Sequence, residues 1–98
     1  MTIQVQNEGK LCTINLAGRL DTTTAPELEK AVLENTAGVE TLIFDLKELS
    51  YTSSAGLRVF LKAQKQMNRQ GTMILRNVCS DIMEIFEVTG FTDILTIE

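Results

Sequence analysis

The chain opens on an alternation. Ile3 and Val5 are separated by Gln4 and followed by Gln6, a period of two that predicts a half-buried strand, and Asn7-Glu8-Gly9 is a turn signal directly behind it. From Leu11 to Ala17 the alternation resumes, with Cys12, Ile14 and Leu16 on one side and Thr13 and Asn15 on the other. The short turn makes these two strands an antiparallel hairpin. Gly18 to Thr23 reads as a loop. Thr24-Ala25-Pro26-Glu27 then predicts a helix start, with Thr24 as N-cap, Pro26 in the first turn and Glu27 placed for a capping box. Leu28, Ala31 and Val32 share a face, and the pattern stops between Asn35 and Gly38.

The period changes twice more. Thr41 to Leu46 holds the run Leu42-Ile43-Phe44, as expected of a strand covered on both faces, and Lys47 to Ser53 reads as the loop after it. A second helix from Ser54 or Ala55 to Gln70 is predicted, with Leu57, Phe60, Leu61 and Met67 as its buried stripe and Gly71 as its stop. Met73-Ile74-Leu75 is a further strand. Ser80 caps a third helix in which Ile82, Ile85, Phe86 and Thr89 share a face, Gly90 ends it, and Ile94 to Ile97 supplies a short last strand. The order is β-β-α-β-α-β-α-β. It defines a single α/β domain over residues 1–98, with a mixed, mainly parallel sheet of four or five strands and three main helices. In such a sheet the loops leaving the carboxyl ends of the strands gather along one edge, where ligands and partners dock. Asp21, Ser53, Ser54 and Ser80 are therefore expected on one rim.

Composition narrows the function. A chain of 98 residues has room for one small domain only. Thirteen acidic residues against nine basic give a net charge of −4. The basic residues are scattered singly along the sequence, which argues against nucleic acid and against anionic membrane surfaces. No apolar run approaches the roughly 20 residues needed to span a bilayer. The N-terminus shows no basic segment followed by an apolar one, so a cytoplasmic location is expected. Histidine is absent, which removes Ser–His and Cys–His catalytic pairs and His-bearing zinc sites. Cys12 and Cys79 are too few and too far apart for a metal knuckle or a redox pair. Cys12 reads as a small buried hydrophobe, and Cys79, in a loop, as the more exposed of the two. No metal, no cofactor and no catalysis are expected.

Tyr51-Thr52-Ser53-Ser54-Ala55-Gly56-Leu57-Arg58 stands apart, placing three hydroxyl side chains and a glycine at the mouth of a helix. One reading is structural: Ser or Thr caps the helix and Gly56 allows close packing on the sheet. The other is a phosphorylatable serine, because a phosphate at a helix N-terminus meets free N–H groups and the positive end of the dipole. Gly56 would then also let a partner's backbone approach. The segment lacks G-x-x-x-x-G-K-[ST], G-x-G-x-x-G and G-x-S-x-G, which excludes the common nucleotide-binding and serine-hydrolase motifs.

Gly18-Arg19-Leu20-Asp21 with Ala25 and Leu28, Phe44-Asp45-Leu46 with Leu49, and Tyr51 through Leu57 together resemble a STAS domain of the anti-sigma-factor antagonist type, over essentially the whole chain. The resemblance implies a protein that binds an anti-sigma factor of serine-kinase type and so frees a sigma factor. The kinase would switch it off by phosphorylating a serine at the start of the second main helix, and a PP2C-type phosphatase would restore it. The family pattern Asp-Ser-Ser/Thr-Gly-Leu falls on Ser53, Ser54, Ala55, Gly56 and Leu57, which makes Ser54 the implied phosphoacceptor. Ser53 departs from the pattern's acidic residue, and Arg58 stands where many members have a second glycine. The implied partner-binding set is Asp21, Thr22, Ser53, Ser54, Gly56 and Arg58. Asp21 is equally well read as an Asx-turn or helix-entry residue, and Asp45 as a tie for the loop after it. Two other roles fit the same family: a subunit of a stressosome or lipid-transport complex, and a module sensing a small ligand or nucleotide at the rim.

Overall fold

The computed structural model describes residues 1–98. Its elements are β1 (Thr2–Glu8), β2 (Leu11–Leu20), α1 (Ala25–Asn35), β3 (Thr41–Thr52), α2 (Ser54–Asn68), β4 (Thr72–Arg76) and α3 (Ser80–Thr89), followed by a 3₁₀ turn at Phe91–Asp93. The strands lie in the spatial order β1-β2-β3-β4. The β1–β2 hairpin is antiparallel, and β3 and β4 add in parallel, as the alternation of strands and helices requires. The α/β class, the mixed sheet and the three helices agree with the sequence reading.

The alternation in β2 buries Cys12, Ile14 and Leu16 completely or nearly so, and these residues meet Leu42 and Phe44 of β3, Leu28 and Val32 of α1, and Phe60 and Met67 of α2 in one core. Phe60 sits at its centre. Its ring stands edge-on to Phe44, with centroids 5.2 Å apart, and edge-on to Phe86 of α3 at 6.2 Å. Burial pushes the Cys12 thiol above its ordinary value, consistent with a hydrophobe's role. Cys79 is half-buried, with its thiol 3.9 Å from the Leu49 carbonyl.

Four local expectations change. Strands β2 and β3 run on to Leu20 and Thr52, where loops were expected. β3 carries one extra residue opposite Asn15–Ala17 and another opposite Gly18–Arg19, so its inward residues Leu46 and Leu49 are three apart rather than two. Those bulges hide the strand's period. Ile94 to Ile97 forms no strand: only Ile97 pairs, with Leu75, while Leu95 turns into the core and Ile94 stays exposed. Thr24 makes no side-chain cap to α1 and no capping box forms with Glu27. At α3 the N-cap position belongs to Cys79, and Ser80 is the first helical residue.

Gly71 permits the chain to leave α2 for β4. A Cβ there would fall 1.8 Å from the Glu40 carbonyl oxygen, so the two backbones could not pass each other. Because Phe60 joins the helices to the sheet, Phe60→Ala is expected to cost about 3–5 kcal/mol in urea unfolding, a large share of the roughly 5–15 kcal/mol that stabilises a domain this size.

Candidate functional site

The carboxyl ends of β2 and β3 converge on one point. Leu20 pairs with Thr52 in the ladder, both are buried, and the Ser53 amide donates to the Leu20 carbonyl at 2.9 Å. The Asp21 loop and the Ser53–Ser54 segment are thus neighbours. Ser80 is not with them: β4 ends level with Asp45, and Cys79 meets β3 at Leu49, roughly 10 Å short of Thr52 at 3.3 Å per residue.

Above this point α2 begins. Ser53 stands at its N-cap in an extended conformation and Ser54 is its exposed first residue. The Leu57 amide is the first to bond within the helix, to the Ser53 carbonyl at 3.0 Å. The amides of Ser54, Ala55 and Gly56 therefore have no intrahelical acceptor. No side chain caps them, and no acidic residue lies in the first turn. The Ser53 hydroxyl oxygen is buried without a hydrogen-bond partner, so the capping role open to Ser or Thr here is not filled. An uncapped helix start is positively polarised and open to an anionic group.

Gly56 has a different role from one of the two expected of it. It is buried, and a Cβ on it would lie 2.4 Å from Thr52 Oγ1 and 2.6 and 2.7 Å from Leu20 Cγ and Cδ2. The space it leaves is filled by the sheet, so it opens no room for a partner's backbone. Its function is close packing of α2 on the strand ends.

Asp21 builds its own loop. Its carboxylate oxygen Oδ1 accepts from the Thr23 hydroxyl at 2.7 Å, from the Thr23 amide at 3.0 Å and from the Thr24 amide at 3.2 Å. In return the Asp21 amide donates to Thr24 Oγ1 at 2.8 Å, and that hydroxyl donates to the Arg19 carbonyl at 2.9 Å. The Thr23 hydroxyl, assisted by the two amides, holds the Asp21 carboxyl below its ordinary value. Asp21 therefore fills the helix-entry role, and charge reversal there disturbs the loop as well as the surface. Asp45 likewise ties its surroundings, accepting from the Lys47 amide at 3.1 Å and from Asn77 Nδ2 at 3.1 Å.

Thr22 and Arg58 come together at the mouth of a groove of about 220 Å³ between α1 and α2. Arg58 is exposed and pairs with no carboxylate. Arg19 stacks on Tyr51 at 4.2 Å, a contact hidden from sequence because it depends on the bulged register that sets Arg19 opposite Tyr51. The largest concavity, about 450 Å³, lies elsewhere, on the open face of the sheet near Gln4, Asn15, Asp45 and Glu48, and no rim residue lines it. No cluster of three potential metal ligands occurs, and no helix is long and apolar enough to cross a membrane.

A bulged β-β-α-β-α-β-α sheet with an uncapped, serine-bearing α2 start at its carboxyl edge defines a class, and the comparisons identify it. The chain matches the STAS domain over residues 2–98 and belongs to that family. It is 38% identical over 88 residues to the anti-sigma-B factor antagonist of Listeria monocytogenes, covering 87% of this chain and 76% of that protein. To the anti-sigma-B factor antagonist of Bacillus subtilis it is 33% identical over 93 residues, covering 94% and 84%. The solved structure of an anti-sigma factor antagonist from Mycobacterium paratuberculosis superposes with a TM-score of 0.89 over 98% of this chain and 83% of that one, and at 20% identity it shows the shared fold.

Two measurements follow from this geometry. Gly56→Ala is expected to destabilise by about 1–3 kcal/mol in urea unfolding, the cost of overpacking. At an unobstructed helical glycine the same change would instead gain about 0.4–1 kcal/mol, so the sign of the measurement reports the contact with Thr52 and Leu20. For Asp21, a carboxyl held below its unfolded value contributes stability that is present above about pH 4 and lost as pH falls through the folded value. Asp21→Asn should therefore be less stable than the parent at pH 7, with the gap closing as acid unfolding is followed below pH 4.

Proposed function

We propose that this STAS domain is an anti-sigma-factor antagonist: it binds an anti-sigma factor of serine-kinase type and is switched off by phosphorylation of Ser54. The observation that carries the reading is the start of α2. Ser54 is exposed, first in the helix, beside three amides without intrahelical acceptors and free of any acidic neighbour in the first turn. A phosphoryl group there gains the helix dipole and adds about −1.5 to −2 charges at the surface where Asp21, Thr22 and Arg58 gather. The Listeria and Bacillus relatives, both anti-sigma-B factor antagonists, support an anti-sigma factor as the partner. A PP2C-type phosphatase would complete the cycle.

Ser53 needs no acidic character for this. The family's acidic residue would place a negative charge beside the acceptor, whereas the neutral Ser53 adds none to the helix start. Gly56 acts at one remove, by seating α2 so that Ser54 is held at the edge of the sheet.

Ser54→Ala should keep partner binding and abolish phosphorylation by the partner kinase with ATP. Ser54→Asp should weaken binding in part, since one charge replaces nearly two. Mass spectrometry of the labelled domain decides the site: label on Ser53, or on neither serine, removes the switch assignment.

A further inference from the structure

Helical spacing gathers on α2 what the linear sequence disperses. Arg58, Lys62 and Lys65 of α2 and its C-cap Arg69, still in helical conformation, are four, three and four residues apart, so at 100° per residue they fall in a band about 60° wide. All four are exposed, and α2 contains no Asp or Glu. Only Lys62 has a carboxylate partner, Glu29 of α1. The stripe begins one turn below Ser54, which lies on the same side of the helix, and runs about 17 Å from Arg58 to Arg69.

Beside the stripe lies a furrow. The groove at Thr22 and Arg58 shares Glu29, Val59 and Lys62 with a second hollow of about 110 Å³ lined by Val32, Leu33 and Ala63, so the two form one channel between α1 and α2. Leu33, 66% exposed, stands at its far end as an apolar side chain without a partner. The other α1 carboxylates, Glu27 and Glu34, lie about 140–160° around that helix from Glu29, so Glu29 is the one carboxylate lining the channel, where it pairs with Lys62 and leaves Arg58 unpaired.

We propose that this furrow and stripe dock an acidic amphipathic helix of the protein partner, with its apolar side chains in the channel and its carboxylates on Arg58, Lys62, Lys65 and Arg69. The proposal rests on the reading of the Ser54 rim as partner-facing, since the furrow starts there. Its length fits about three turns, with apolar anchors at i, i+4, i+7 and i+11. Nucleic acid is a poorer match, because aliphatic walls and an exposed Leu33 add nothing to a phosphate backbone and the domain as a whole carries −4. A second copy is also a poorer match: the acidic helix α3 has Val88 exposed, but its main apolar residues, Ile82 and Phe86, are already in the core. Phosphorylation fits the same surface. A phosphate on Ser54 sits four residues from Arg58, takes up that guanidinium and sets negative charge at the entrance of the furrow.

The test uses the whole domain and a synthetic 15-residue peptide with Leu at i, i+4, i+7 and i+11 and Glu at the flanking positions, titrated by NMR. Shifts should appear at the amides of Leu33, Val59, Lys62 and Ala63, and affinity should fall as salt is raised. Lys65→Glu with Arg69→Glu should weaken binding at least tenfold, on the order expected when like charges are juxtaposed. Leu33→Ser should weaken it several-fold. All three residues are exposed, and unchanged melting of the variants confirms that the fold persists. Absence of peptide binding, unchanged affinity in the double variant, or shifts mapping away from the furrow would overturn the proposal. So would equal affinity for a DNA duplex, or occupation of the furrow by a second copy seen in sedimentation and lost in Leu33→Ser. The titration needs no kinase, so an unlabelled Ser54 would remove the switch and leave this measurement intact. Labelled Ser54 with an indifferent furrow would do the reverse.

Discussion

The rim depends on an atom that is not there. Leu20 and Thr52 close the ends of β2 and β3, and α2 descends on them so closely that Gly56 has no space for a Cβ. Any larger residue lifts the first turn of α2, and with it Ser53 and Ser54, away from the sheet. Placing the candidate acceptor on a helix start clamped to two buried strand ends fixes it more firmly than a loop would. The same closeness explains why Thr52, a polar residue, is buried at the strand's end: its side chain fills the space beneath Gly56.

Net charge conceals the electrostatic design. From Asn77 to Glu98 the chain carries five acidic residues and no basic one, so the first 76 residues hold all nine basic residues against eight acidic. The domain is polarised, with a basic outward face on α2 and an acidic α3. A whole-chain value of −4 argues correctly about solubility and bulk attraction to phosphates, yet it says nothing about a stripe 17 Å long that acts well within a few screening lengths. Scattered charges in sequence become ordered charges on a helix.

Much of the fold was legible in the sequence because each period matched its element. Cys12, Ile14 and Leu16 alternate and are buried. Leu57, Phe60 and Met67 keep helical spacing and are buried, and Gly90 ends α3 in the left-handed conformation. What escaped was set by tertiary partners. Leu46 and Leu49 are three apart because β3 bulges, which reads locally as a loop. Ile94 to Ile97 is apolar enough for a short strand, but only Ile97 reaches the edge of β4. Thr24 was a sound N-cap by residue type, yet its hydroxyl is engaged by the Asp21 amide and the Arg19 carbonyl. At the site, Ser54 and Asp21 could be located from motif and turn chemistry. The packing role of Gly56 could not be separated from a partner-facing one without knowing what lies opposite its α-carbon.

Asp21 and Ser54 stand at two neighbouring helix starts that the chain treats differently. Asp21 uses its carboxylate on Thr23 and Thr24, satisfying amides at the entry to α1 and setting a negative charge beside that helix start. The start of α2 receives no such group: Ser53 Oγ is unpartnered, no acid follows, and three amides remain open. The two helix starts thus differ in charge: the Asp21 carboxylate lies at the entry to α1, whereas no acidic residue lies in the first turn of α2. An anion arriving at α2 meets no internal competitor, and the first cation along its path is Arg58 at the head of the stripe. The asymmetry gives a charge added at the start of α2 a local target in the exposed Arg58.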